Sequence, residues 1–210
     1  MGYRTIASHG EAEIEVSRSR FRCELVRVED ELTARGVIDG IRREHWNARH
    51  HCSAFILGPD RAIERSSDDG EPSGTGGAPM LEVLRGNKVS DVVAVVTRWF
   101  GGTLLGTGGL SRAYADAVRA ALEATEIVER VEQELCDVTV DLAAAGRLEH
   151  ELRSRGTNVL NIEYTDVATL SLALPLVTVP IAEEIVAELT EGEAHLVRRG
   201  MRWVDAPLSS

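Results

Sequence analysis

Apolar and polar residues alternate most regularly in the last third of the chain. Val138, Val140 and Leu142 alternate with polar neighbours and predict a half-buried strand. Leu148 and Leu152 follow at helical spacing, and Gly156 is placed to end that helix. Leu160, Ile162 and Tyr164 alternate again, Asp166 supplies a turn, and Leu170, Leu172, Leu174 and Leu176 form a second alternating run. Pro180 suits a first helical turn, with Ile181, Ile185 and Leu189 on one face after it. Residues 196–204 close as another apolar strand. The predicted order, β-α-β-β-α-β, is that of a ferredoxin-like split βαβ unit.

The first part is less regular. Ile14 and Val16, then Phe21, Cys23 and Leu25, read as two strands joined by a polar turn. Residues 29–46 predict a helix, which Gly36 and Gly40 weaken by roughly 1 kcal/mol each relative to alanine. The short unbroken apolar runs at 54–57 and 92–96 predict strands covered on both faces. Leu110, Tyr114, Val118 and Leu122 keep helical spacing through an alanine-rich stretch. The expected fold class is α+β, with domains at residues 1–131 and 132–210.

Composition narrows the function classes. The chain has 210 residues, 43% hydrophobic and 27% charged, which predicts a folded core rather than disorder. No apolar run approaches the roughly 20 residues that span a bilayer, and Met1 to Thr5 lacks the apolar stretch of a signal peptide. Cys23, Cys52 and Cys136 are few, odd in number and far apart, which fits reduced thiols in a cytoplasmic protein and offers no zinc spacing. The net charge is −11, and residues 132–210 hold 6 basic against 14 acidic residues. That acidic part repels phosphate backbones, so any nucleic-acid contact is expected in the first domain.

Nine of the 19 glycines fall in two blocks, 67–77 and 97–110. Glycine suits positions where φ is positive or where another backbone or a ligand comes close. The second block leads from a buried strand into a helix, so it can present free N–H groups to an anion. Gly101 and Gly106 have Walker A separation, but Thr107-Gly108 stands where Lys-Ser/Thr is required, and Ser111 breaks a dinucleotide fingerprint begun at Gly106 and Gly108. Arg98 and Arg112 flank this block and Trp99 adds a stacking face, together suggesting an RNA-like or anionic ligand. The competing possibility is that Trp99 and Phe100 are core and each arginine pairs with Asp68, Asp69 or Glu71. Those three carboxylates could instead serve as acid, base or metal ligands, although turn capping explains Asp-Asp-Gly well and the ligand spacing is missing. His50 and His51 are adjacent on a strand and face opposite ways, so they and Cys52 cannot meet at one atom.

Three segments carry a resemblance: Ala48-Arg49-His50-His51-Cys52-x-Ala54, the run from Ser67 through Ser73 to Thr75, and Arg98-Trp99-Phe100-Gly101-Gly102 continuing through Gly106, Gly108 and Gly109 to Arg112 and Tyr114. They are similar to the YigZ/IMPACT family, departing only in Trp99 where tyrosine is usual and Gly76 where alanine is common. The resemblance implies a first domain like the second domain of a small-subunit ribosomal protein. It also implies a tail like the C-terminal domain of elongation factor G, and a role near translation. The leading expectation is a non-enzymatic regulatory protein that binds RNA, the ribosome or a translation factor. Its binding residues are expected among Arg98, Trp99, Gly101, Gly102, Gly106, Gly108, Gly109, Arg112, Tyr114, Asp68, Asp69, Glu71, Ser73, Thr75, His50 and His51. Arg98 and Arg112 should border a concave, anion-accepting surface, with Gly106 to Gly109 as a loop before the helix. No cofactor, metal or membrane partner is expected. The alternative is a small-molecule enzyme, for phosphoryl transfer or hydrolysis, using the same loops.

Overall fold

The structure is a computed structural model and describes residues 2–206 and Leu208. Met1, Pro207, Ser209 and Ser210, outer positions of the two expected domains, lie outside the described residues. The chain divides into two units, residues 2–130 with the segment from Asp205, and residues 131–204.

The first unit contains β1 (Tyr3–Ile6), β2 (Gly10–Val16), β3 (Ser19–Arg27), α1 (Glu31–Glu44), β4 (His50–Leu57), β5 (Ile63–Ser67), α2 (Gly77–Gly86), β6 (Val92–Trp99), α3 (Gly106–Glu123) and the opening residues of β7 (Ile127–Val140). β2 to β6 make an antiparallel sheet of order β2-β3-β6-β4-β5. β4 and β6 are unbroken apolar runs because both faces of the sheet are covered. Cys52, Ala54, Ile56, Val92, Ala94 and Val96 pack with Met80, Leu84, Tyr114 and Val118 of α2 and α3. Phe55, Leu57, Val93 and Val95 pack with Ala34 and Ile41 of α1. Asp30 caps α1, its carboxylate accepting from the Thr33 N–H at 2.8 Å.

Sequence periodicity misses β1, β5 and α2. α2 begins at Gly77 directly after a glycine-rich stretch, and its own N-cap, Gly76, has no side chain to offer. The cap comes from upstream, because Asp68 Oδ1 accepts from the N–H groups of Gly76 and Gly77 at 2.9 and 2.8 Å. β1 is a short strand paired with β7 from Tyr3↔Arg130 to Ile6↔Ile127. Asp205 also belongs to this unit, with Arg27 Nη1 2.6 Å from its Oδ2.

The second unit follows β7 with α4 (Leu142–Ser154), β8 (Asn158–Tyr164), β9 (Ala168–Leu174), a 3₁₀ turn (Leu176–Thr178), α5 (Val179–Leu189) and β10 (Val197–Ala206). Its strands run β10-β7-β9-β8, and the β7–β9 and β8–β9 pairs are antiparallel. Leu148 and Leu152 of α4 and Ile185 of α5 share a core with Val138, Leu170 and Leu172.

Several predicted positions shift. Leu142 opens α4, half exposed, rather than ending a strand. β8 carries a bulge between Val159 and Asn161, which turns Val159 inward and leaves Leu160 exposed. Tyr164 is exposed at the strand end. Leu176 lies past Pro175 in the 3₁₀ turn and is exposed. α5 buries Val179, Ala182, Ile185 and Val186, which turns Ile181 outward. Among the described residues no helix is long and apolar enough to cross a membrane.

Candidate functional site

Strand pairing decides which candidates can meet. β4 and β6 are registered with His50 opposite Arg98 and His51 opposite Thr97. Opposed residues share a face and successive residues alternate, so His50, Cys52 and Arg98 face α3 while His51 and Trp99 face α1. The expected Arg98–Trp99 partnership is therefore split across the sheet. Trp99 Nε1 donates to Asn47 Oδ1 at 3.1 Å, its ring meets His45 edge-on at 5.4 Å, and the Arg20 guanidinium lies 4.7 Å above it.

The two histidines have different duties. His51 is buried, and its Nε2 lies 3.1 Å from the His45 carbonyl. A carbonyl only accepts, so Nε2 carries the proton. Half-buried His50 donates from Nδ1 to the Asp69 carbonyl at 2.9 Å, leaving Nε2 as the acceptor of the neutral ring.

Arg98 is buried, with 7% of its side chain exposed. Its Nη1 donates to Glu71 Oε1 at 2.6 Å, and the Tyr114 hydroxyl donates to the same oxygen at 2.8 Å. The rings of Phe21 and Phe100 lie 5.4 and 5.6 Å from the guanidinium. Burial pushes the Tyr114 phenol well above its usual range and the Cys52 thiol up to about 12. The Cys52 S–H donates to the Asp68 carbonyl at 3.0 Å. A thiol held protonated this way is no nucleophile.

The three clustered carboxylates diverge. Asp68 accepts from the N–H groups of Gly74, Gly76 and Gly77. Burial pushes its carboxyl upward, but these bonds outweigh that effect and hold it below the usual range. Asp69 adopts φ +42 and takes Arg42 Nη2 at 2.8 Å on one oxygen and the His51 N–H at 2.7 Å on the other. Glu71 serves Arg98 and Tyr114. Among the described residues no group of three or more His, Cys, Asp or Glu gathers around a metal position.

The second glycine block is partly helical. Gly101 has no room for a side chain, because a Cβ there would lie 2.0 Å from the Arg18 carbonyl carbon. Gly102 takes φ +88 in the loop that follows. Gly106, Gly108 and Gly109 form the first turn of α3 rather than the expected loop. The buried face through Leu110, Ala113, Tyr114 and Ala117 holds the helix despite their poor propensity. Leu105 at the N-cap supplies no acceptor and the first turn has no acidic residue, so among the described residues no side chain caps the leading N–H groups.

A cavity of about 510 Å³ opens at this turn, lined by Arg49, His50, Gly70, Glu71, Pro72, Arg98, Phe100, Leu104, Leu105, Gly106, Thr107 and Leu110. The fold thus joins the two glycine blocks. The expectation that Arg98 and Arg112 border one anion-accepting surface is corrected in two respects. Arg98 lines the cavity but is buried against Glu71, and Arg112 is exposed outside the lining. Exposed Ser73 and buried Thr75, whose Oγ1 donates to the Pro72 carbonyl at 2.6 Å, also lie outside it. Arg49, Leu104 and Leu105 belong to the cavity and are not among the expected binding residues. Arg49's position beside His50 at the start of β4 was the available signal.

The Impact N-terminal domain model matches residues 17–122, and a domain of unknown function, DUF1949, matches residues 138–193. The IMPACT family member YvyE of Bacillus subtilis (strain 168) is 40% identical over 194 residues, 92% of this chain and 89% of its own length. The IMPACT family member YigZ of Escherichia coli (strain K12) is 35% identical over 187 residues, 87% of this chain and 91% of its own. A crystal structure described as a hypothetical protein superposes with a TM-score of 0.62 at 32% identity, covering 93% of this chain and 96% of that one. With its glycine blocks meeting at one cavity and relatives matching across nearly all of its length, the chain belongs to the IMPACT family.

Proposed function

We propose that this protein is a non-enzymatic, translation-linked binding protein that seats RNA, a ribosomal surface or a translation factor at the start of α3. The observation that carries this reading is the uncapped first turn of α3 opening into a cavity walled by Arg49 and Arg98. Such a turn favours negative charge through its free N–H groups and the helix dipole. The translation link is inherited from the family resemblance. Arg49 and Arg112 are exposed with no ion pair among the described residues, so both are free to meet an incoming anion. Against the enzyme alternative, Asp68, Asp69 and Glu71 are all engaged by protein partners. We also propose domains at 1–131 and 132–210, the second ferredoxin-like, a reading supported by its element order and its strand order β10-β7-β9-β8.

Ribosome co-sedimentation and a salt titration with ribosomal RNA fragments test this reading. Arg49→Ala and Arg112→Ala are each expected to weaken binding and to reduce the log–log salt slope by about 0.7–0.9 per lost phosphate contact. Equal affinities and slopes in wild type and both variants would overturn the RNA reading. A complex retained on ribosomes without that salt signature points to a protein contact.

A further inference from the structure

We infer that the cavity at the start of α3 takes a ligand with one carboxylate head and a short apolar body, from either a free organic acid or the C-terminal residue of a peptide. This rests on the reading above that the cavity is the binding site. The head has a place to sit. Among the described residues, the first turn of α3 has neither a capping side chain nor an acidic residue, and around Gly106 and Gly108 nothing lies within 4 Å of where a Cβ would be. A second observation belongs to the same cavity: Arg98 lines it with 93% of its side chain buried and Nη1 paired with Glu71, while its buried Nε has no hydrogen-bond partner among the described residues.

Charge matching selects the head group. The Arg98 charge is already balanced by Glu71, which also lines the cavity. Arg49 is then the one full charge in the lining without an ion pair among the described residues, joined by the positive end of α3. One cation and a helix end suit a monoanion. A phosphate dianion would bring a second negative charge toward the Glu71 carboxylate without a cation to meet it.

The rest of the wall selects the body. Pro72, Phe100, Leu104, Leu105 and Leu110 are apolar. Leu104 is 89% exposed and Phe100 49%, an apolar lip that an apolar ligand would cover. The volume of about 510 Å³ falls within the range of small-ligand sites.

The test is calorimetric titration of the full-length protein with hexanoate, with the tripeptide acetyl-Ala-Ala-Leu, with the C-terminal amide of that peptide, and with inorganic phosphate. At least one of the two acids is expected to bind, with the amide and phosphate at least about tenfold weaker. Hexanoate binding marks a free acid as a sufficient source, and binding of the peptide acid alone marks the carboxyl end of a polypeptide. Arg49→Ala and Leu104→Asp should each weaken the acid by about tenfold while leaving the unliganded melting temperature unchanged, because both side chains are exposed. An amide that binds as well as the acid, phosphate that binds more tightly, or no binding at roughly 1 mM would overturn the inference. The RNA titration separates the two readings. Arg49-dependent RNA binding without carboxylate binding overturns the inference alone, and loss of both overturns the site itself.

Discussion

Arg98→Ala is expected to lower the unfolding free energy by about 3–5 kcal/mol, the cost of stranding one member of a buried ion pair. Its partner Glu71 has 3% of its side chain exposed and, among the described residues, would keep only the Tyr114 hydroxyl. Glu71→Ala should cost a similar amount by leaving the guanidinium between Phe21 and Phe100 with no counter-charge. The double variant Arg98→Met/Glu71→Leu should recover much of the loss, since replacing both charges with apolar groups of similar volume leaves neither stranded. Urea denaturation with an unchanged m-value measures all three. A loss below about 1 kcal/mol for Arg98→Ala, the level of an exposed pair, would mean that solvent reaches the guanidinium and the floor of the cavity is open.

Asp68→Ala is expected to cost about 2–3 kcal/mol, because three backbone donors lose one charged acceptor. Two of those donors, Gly76 and Gly77, stand at the start of α2, so the loss falls on the helix and on the loop that carries Glu71. Asp68→Asn retains an acceptor oxygen and should fall between wild type and alanine. The pH dependence has a definite sign. The folded-state carboxyl is held below its ordinary value, so its stabilisation is present above the unfolded-state pKa of about 3.9. It is lost as pH falls through the lower folded-state value. The difference between wild type and Asp68→Ala should therefore be constant near neutrality and shrink below about pH 4. A difference that grows toward low pH would contradict the assignment of those three bonds.

Local patterning by itself determined the elements whose periodicity is strong. Double coverage of residues 54–57 and 92–96, the helices at Glu31–Glu44 and Leu142–Ser154, and the β-α-β-β-α-β order of the second unit all follow from where apolar residues recur. The two glycine blocks were likewise visible as unusual, and the opposite facing of His50 and His51 required only strand geometry. Long-range pairing decided the rest. α2 is invisible locally because its cap, Asp68, precedes the helix by nine residues and acts through a turn. Which arginine is available could not be read from composition, since Arg98 and Arg112 carry the same charge in the same glycine-rich neighbourhood. Register places Arg98 opposite His50 on the α3 face, where burial obliges it to pair with Glu71, while Arg49 stays exposed at the rim. Alternation along β6 sends Trp99 to the other face of the sheet, so residues adjacent in sequence end in different environments. A charge's availability depends on what lies within hydrogen-bond reach and how much water remains. Only the folded protein sets both.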